Sequence, residues 1–263
     1  MAPPTRKQRR QTARSLEGRT AFLSGSYRGI GYSLARALGE AGAQVVLNGR
    51  SAARVARSVA VLSDQGITAS GYAFDVTVPA EVTRQMKRIR EATGGIDILV
   101  NNAGMHCRQP LEKLSVRGWR QVLDLNLTAA FLLGRACIRD MRQRGGGKII
   151  NMASLMSYIT RPTTAAYSAA KGGLLMLTKS MAVEWARYNV QANAIAPGYI
   201  RTEMTEHLLQ DEAFNAWIVG RTPAGRWGLP EDLAGLAVFL AGPDSNFLTG
   251  QCLVVDGGLS ATI

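Results

Sequence analysis

Short apolar runs of strand length alternate with stretches of helical period from Arg19 to the end of the chain, and this rhythm constrains the fold more than any other feature. The strands are predicted at Thr20–Ser24, Gln44–Asn48, Thr68–Phe74, Asp97–Asn101, Lys148–Met152, Val190–Ile195 and Cys252–Val255. Helices are predicted between them at Ile30–Ala41, Ala52–Gln65, Ala80–Thr93, Val116–Arg144, Ala165–Tyr188 and Glu231–Ala241. Strands separated by helices of a dozen residues or more are joined by crossovers and so run parallel. The strand runs are nearly all apolar, as they must be when both faces of a sheet are covered. No repeat or linker interrupts residues 19–263, so the expectation is α/β class with one doubly wound domain. The 263 residues can build a full core without disulfides or metal.

Two segments stand outside the rhythm. About thirty residues, 199–228, follow the sixth strand, where α/β folds place a substrate lid. Met204, Leu208, Leu209, Phe214, Trp217 and Ile218 would form the apolar face of one or two short helices there, and a purely structural excursion is the alternative. Residues 1–18 are expected to be a basic, disordered tail, without the apolar core of a secretory signal. Six cations face only Glu17 in the first twenty residues, and they contribute much of the net charge of +12. Such charge raises the question of nucleic acid, but the tail is its only support, and a nucleic-acid partner is not expected. No apolar run reaches membrane-span length, so no membrane association is expected. Cys107, Cys137 and Cys252 have neither disulfide nor metal spacing and are read as reduced thiols of a cytoplasmic protein. No carboxylate or histidine cluster has metal spacing either.

The first predicted strand runs into Ser24-Gly25-Ser26-Tyr27-Arg28-Gly29-Ile30-Gly31, which opens the first helix. Glycines there let the backbone approach a pyrophosphate, and a helix N-terminus supplies free N–H groups and a positive dipole end. Where NAD-preferring folds carry a carboxylate for the ribose hydroxyls, the second strand ends in Gly49-Arg50. A guanidinium there pairs with a 2′-phosphate, with Arg28 as a second cation, so NADP(H) is expected over NAD(H). The competing reading leaves Arg50 as a solvated loop residue. Asp75, ahead of Val76, is either an acceptor for the adenine amino group or a turn residue. Asn102, Ala103 and Gly104 end the fourth strand, where small residues allow a dinucleotide close; Asn102 is otherwise architectural.

Tyr167 and Lys171 lie four apart on a predicted helix and share one face. A nearby ammonium favours the phenolate and lowers a phenol pKa toward the useful range. Ser154, just past the fifth strand, can hold a substrate oxygen near that phenol, and Asn126 is a polar side chain amid leucines.

In order and spacing these motifs, with Pro197-Gly198, resemble the short-chain dehydrogenase/reductase family over roughly residues 19–263. The resemblance implies a Rossmann domain with a seven-stranded parallel sheet and helices on both faces, and assembly as a homotetramer. It implies Tyr167 as acid/base, Ser154 as the orienter of the carbonyl, and Lys171 on the nicotinamide ribose. Asn126 would hold a water of a proton relay, and Pro197, Gly198, Ile200 and Thr202 would border the nicotinamide. Ser24 stands where that motif usually has Thr. Within the family, Leu47-Asn48-Gly49-Arg50, the segment 148–157, 170–174, Thr202–Met204 and 222–228 are similar to the gluconate 5-dehydrogenase group. An anionic sugar acid needs a cation beyond the reacting carbon, for which Arg108 and Arg161 are the candidates, each a solvated residue on the competing reading. His106 is read as pocket wall or as a satisfied loop residue. Other carbonyl substrates, a 3-oxoacyl thioester among them, remain alternatives.

Overall fold

The computed structural model describes residues 15–262. Seven strands form one parallel sheet: β1 (Thr20–Leu23), β2 (Gln44–Gly49), β3 (Ala69–Ala73), β4 (Ile98–Asn101), β5 (Gly147–Met152), β6 (Val190–Pro197) and β7 (Cys252–Val255). Their order is β3-β2-β1-β4-β5-β6-β7, every neighbouring pair parallel. Chain progression reverses between β1 and β4, and a crevice opens there at the strands' carboxyl ends. The helices are α1 (Gly29–Glu40), α2 (Ala52–Asp64), α3 (Pro79–Thr93), α4 (Val116–Leu123), α5 (Ala129–Gln143), α6 (Ala165–Trp185), α7 (Glu206–Leu209), α8 (Glu212–Arg221) and α9 (Ala234–Ala241).

Alternation along the strands builds two cores. Leu23, Val45, Leu47, Val100 and Ile150 face one side and pack with Leu34 and Leu38 of α1, Val55 and Leu62 of α2 and Leu240 of α9. Phe22, Val46, Leu99 and Ile149 face the other, against Val82, Met86 and Ile89 of α3, Leu133 and Met141 of α5 and Met181 of α6. The single-residue offset between the two sets is the period of two that a pleated strand imposes. Each fully buried Leu or Ile contributes about 1.5–3 kcal/mol of transfer free energy. Local signals set the helix ends. The Ser51 hydroxyl accepts from the Arg54 N–H to start α2, and the Ser115 hydroxyl accepts from Gly118 to start α4. Gly94 ends α3 in the left-handed conformation at φ 76°.

The structure departs from the expected elements in four places. The expected helix Val116–Arg144 is broken by a π-turn over Asp124–Thr128. There the Asn126 amide turns inward and donates to the Val122 carbonyl at 2.9 Å, which loosens the helical ladder. The run Val116–Gln143 is long and apolar enough to cross a membrane by length and composition, and one face of it, with Leu133, Cys137 and Met141, packs in the core. Helix α6 stops at Trp185 and finishes in a 3-10 turn, with Asn189 left-handed at φ 58°. The expected helix at Glu231 begins as a 3-10 turn, Pro230–Leu233. Finally, the expected tail boundary at residue 18 is too late. Residues 15–18 form a turn with Leu16 buried in the first core, its N–H bonded to the Ala41 carbonyl at 3.0 Å. The remainder of the tail reading, residues 1–14, lies outside the described residues.

Candidate active site

A cleft of about 330 Å³ follows the carboxyl rim of the sheet. Gly25, Arg28, Gly29, Ile30, Gly31, Gly49, Arg50, Asp75, Val76, Asn102, Ala103, Gly104, Pro197, Gly198, Ile200 and Thr202 border it, as do Ser154, Tyr167, Lys171, Arg108 and Arg161. Of the residues singled out from sequence for the site, Asn126 is the exception.

The turn after β1 is packed with no room for side chains. A Cβ on Gly31 would stand 2.4 Å from Asn102 Nδ2 and 2.7 Å from the Gly25 carbonyl oxygen. Gly25 has φ 59°, and a Cβ there would meet Ala103 Cα at 2.9 Å. The start of α1 therefore presents bare backbone to the cleft, a cradle that fits a pyrophosphate. Asn102 serves architecture too, since its amide donates to the Ser24 and Gly25 carbonyls at 3.1 and 2.8 Å and ties β1 to β4. Ser24 fills the role expected of Thr, its hydroxyl accepting from the Asn102 and Ala103 N–H groups at 3.0 and 3.1 Å. Asn48 was missed from sequence. Its carboxamide oxygen accepts from the Gly25 N–H at 3.3 Å, while its amide donates to the Tyr72 and Phe74 carbonyls.

At the cleft's β2 end, Arg50 is exposed and makes no ion pair among the described residues. No carboxylate stands at the tip of β2. Arg28 differs from expectation: it pairs with Glu203 and lies 5.4 Å over the Tyr27 ring, which itself covers Gly49. Arg50 is thus the cation left for a 2′-phosphate. Asp75 is a turn residue through Oδ1, which accepts from the Thr77 N–H and hydroxyl at 2.9 and 2.7 Å. Its carboxylate still borders the cleft.

At the other end, strand β5 delivers Ser154 and helix α6 delivers Tyr167 and Lys171 to one point. The Ser154 hydroxyl accepts from the Met156 N–H at 3.1 Å and acts on the neighbouring phenol. Burial pushes the Tyr167 phenol up to about 12, and Ser154 and then the Arg108 guanidinium pull it the other way. Lys171 is not among those opposing groups, contrary to the sequence expectation. Its ammonium is turned to the Met152 carbonyl at 2.6 Å and stands 5.5 Å from the phenol ring centre. Burial alone brings Lys171 down to about 8. Asn126 sits behind the wall rather than in it. It donates to the Met105 carbonyl at 2.9 Å and accepts from the Met105 N–H at 3.4 Å, so both amide hydrogens are engaged with backbone. His106 lies flat on Tyr167, with ring centres 3.7 Å apart.

Two cations face this end. Burial, and then the charge of Arg161, hold Arg108 below its usual range, the mark of guanidinium groups crowded in a partly dry site. Arg161 lies over the Phe214 and Tyr199 rings at 5.1 and 5.8 Å. The 199–228 segment covers the cleft with Tyr199, Thr202, Glu203, Met204, Thr205 and Leu208. Its ends are pinned together, Arg201 N–H to the Gly228 carbonyl and Gly228 N–H to the Tyr199 carbonyl, both at 2.9 Å. The two short helices expected of it are present, and four of the six apolar residues expected to face inward, Leu208, Leu209, Phe214 and Ile218, are buried or half-buried. Met204 and Trp217 depart from that expectation and are exposed, and an aromatic cluster joins Phe214 to Tyr199 and Trp227. Sequence reading missed Trp227 as an anchor because the cluster joins residues from three turns. Among the described residues no group of His, Cys, Asp or Glu is placed to hold a metal.

Comparison with known proteins places these features in company. The family described as enoyl-(acyl carrier protein) reductase matches residues 25–260. The gluconate 5-dehydrogenase of Gluconobacter oxydans is 46% identical over 95% of this chain and 97% of its own. The 5-keto-D-gluconate 5-reductase of Escherichia coli is 45% identical over 95% of this chain and 98% of its own. Among solved structures, a gluconate 5-dehydrogenase from Burkholderia cenocepacia, in complex with NADP and tartrate, superposes with a TM-score of 0.93 at 45% identity, covering 96% of this chain and 99% of that one.

Proposed function

Because the chain belongs to the short-chain dehydrogenase/reductase family, we propose that it is an NADP(H)-dependent oxidoreductase interconverting D-gluconate and 5-dehydro-D-gluconate. The observation that carries the substrate class is the pair Arg108 and Arg161 beside the Ser154–Tyr167 end of the cleft. Two guanidinium groups crowded together favour an anion, and a sugar acid offers one a few bonds from its reacting carbon. Similarity to enzymes of this activity over nearly the whole chain supports the specific pair of compounds.

The bare turn at Gly25, Gly29 and Gly31 would receive the pyrophosphate, Arg50 the 2′-phosphate, Asp75 the adenine amino group, and Lys171 the nicotinamide ribose. When bound, NADPH supplies the hydride. In reduction, Tyr167 gives its phenol proton to the ketone oxygen that Ser154 holds, and in oxidation it takes that proton back. The protein's contribution is alignment of phenol, carbonyl and cofactor, with water kept out by the 199–228 segment. NAD(H) would fit the same cleft but would leave Arg50 without a phosphate to pair.

The exposed apolar side chains of Phe131 on α5 and of Met176 and Val183 on α6 support a homotetramer built through these helices, with Phe247 and Val254 at a second face. The three thiols are unpaired, in keeping with work in the cytoplasm.

The test is NADPH oxidation by the purified protein with 5-dehydro-D-gluconate, other keto-acids and 3-oxoacyl thioesters. We expect kcat/KM for 5-dehydro-D-gluconate to exceed the rest, with NADH at least tenfold poorer. Similarity to a 3-oxoacyl-(acyl carrier protein) reductase of Vibrio cholerae, 38% identical over 93% of this chain, favours a second reading, a 3-oxoacyl thioester reductase. Preference for the thioester would replace the first reading with the second.

A further inference from the structure

We propose that His106 is a positioning residue for Tyr167, acting through the face of its ring; this role rests on the reading of Tyr167 as the acid/base. The two rings stack with centres 3.7 Å apart and planes at 28°. The Tyr167 ring packs against the cluster of Val122, Ala166 and Ala170, and a swing about its Cα–Cβ bond toward the cleft is the motion that would displace the hydroxyl. A flat ring on its face removes that freedom and leaves the hydroxyl aimed at one point.

Hydrogen bonding does not account for the imidazole. Its Nδ1 is buried with no partner, and the ring makes no hydrogen bond among the described residues. What the structure gives the ring is a face, which lies flat on Tyr167. Nor is it placed to act as an acid. Burial first, then the positive charges of Arg108, Lys171, Arg161 and His207, bring its pKa down to about 3, so the ring is neutral. A neutral ring stacks beside this cluster of cations without adding to their repulsion.

The backbone that carries His106 is fixed from behind. Asn126 accepts from the Met105 N–H and donates to the Met105 carbonyl, gripping the peptide on both sides. That grip comes from the π-turn between α4 and α5, the irregularity that turns the Asn126 amide inward. A line of contacts therefore runs from Asn126 through Met105 and His106 to the phenol. It gives Asn126 a place in the site although its side chain does not border the cleft.

The test compares His106→Ala, His106→Gln and His106→Phe in the NADPH assay with 5-dehydro-D-gluconate. A ring on the face predicts that Ala and Gln each lower kcat about tenfold or more, with KM for NADPH unchanged. Phe restores kcat to within about threefold and raises the melting temperature, since it removes the buried unpartnered nitrogen. Wild-type kcat in the Gln variant overturns the proposal, as does a Phe variant as impaired as Ala. Should Ala fail to fold, Gln against Phe decides. A wild-type enzyme that ignores 5-dehydro-D-gluconate overturns the substrate reading instead, and the same series is then read on a 3-oxoacyl thioester.

Discussion

At pH 7 the Tyr167 phenol holds its proton, while the Lys171 amine lies close to its titration point at about 8. The two directions of reaction should therefore respond oppositely to pH. Reduction uses the protonated phenol and the ammonium, so its kcat/KM should be flat below about pH 8 and fall as Lys171 deprotonates. Oxidation uses the phenolate, a minor form at every pH below about 12, so its kcat/KM should already rise with pH through the range where reduction is flat. Rate profiles in both directions with NADPH and NADP+ check this, and parallel profiles would contradict the assignment. Ser154, Tyr167 and Lys171 were legible in the sequence because spacing along a helix and position after a strand place them. The identity of the charged group acting on the phenol was not. Arg108 reaches it from the loop after β4, and a side chain's aim across elements leaves no periodic trace. The stack of His106 on Tyr167 was hidden for the same reason.

The β1–turn–α1 unit shows what an element can reveal before its coordinates are known. Alternation located the strand, and the glycines located the turn, because no other residue fits a backbone pressed against its neighbours. Gly31→Ala should be costly here, since the new Cβ meets Asn102 Nδ2 at 2.4 Å and backbone atoms of Gly25 and Ser26 within 3 Å. Overpacking of this kind costs about 1–3 kcal/mol. A lower melting temperature together with at least tenfold weaker NADPH binding by fluorescence titration is the expected result. Undisturbed binding would mean that the turn is not the cradle. The break between α4 and α5 was beyond sequence reading, because the apolar period runs on through Asp124–Thr128 and only the inward Asn126 amide interrupts it. The 199–228 segment was legible by its length and position and in most of its inward face, but not in the aromatic contacts that join its separate turns.

For the whole molecule, the pattern of burial divides cleanly. Both sheet faces are covered, and the strand order grows outward from β1 on one side through β2 and β3 and on the other through β4 to β7. Exposed apolar side chains occur over much of the surface, Leu111 and Val116 among them, and α5 and α6 contribute Phe131, Met176 and Val183. Val183 is 80% exposed and Met176 61% exposed on a helix whose other face is core. Light scattering after size-exclusion chromatography should return four times the 28.3 kDa chain mass, and Val183→Asp with Met176→Asp should shift it to dimer or monomer. A wild-type monomer would refute assembly through these helices.

Catalysis as described here depends on the phenol of Tyr167 as the proton carrier, and Tyr167→Phe tests it with the removal of one oxygen. NADPH oxidation with 5-dehydro-D-gluconate should fall by at least a thousandfold, roughly the scale of general acid catalysis. NADPH affinity, measured by fluorescence titration on the same preparation, should stay within about threefold of wild type, because the phenol is not a holder of the phosphates. Turnover near the wild-type rate in that variant would contradict the role assigned to Tyr167.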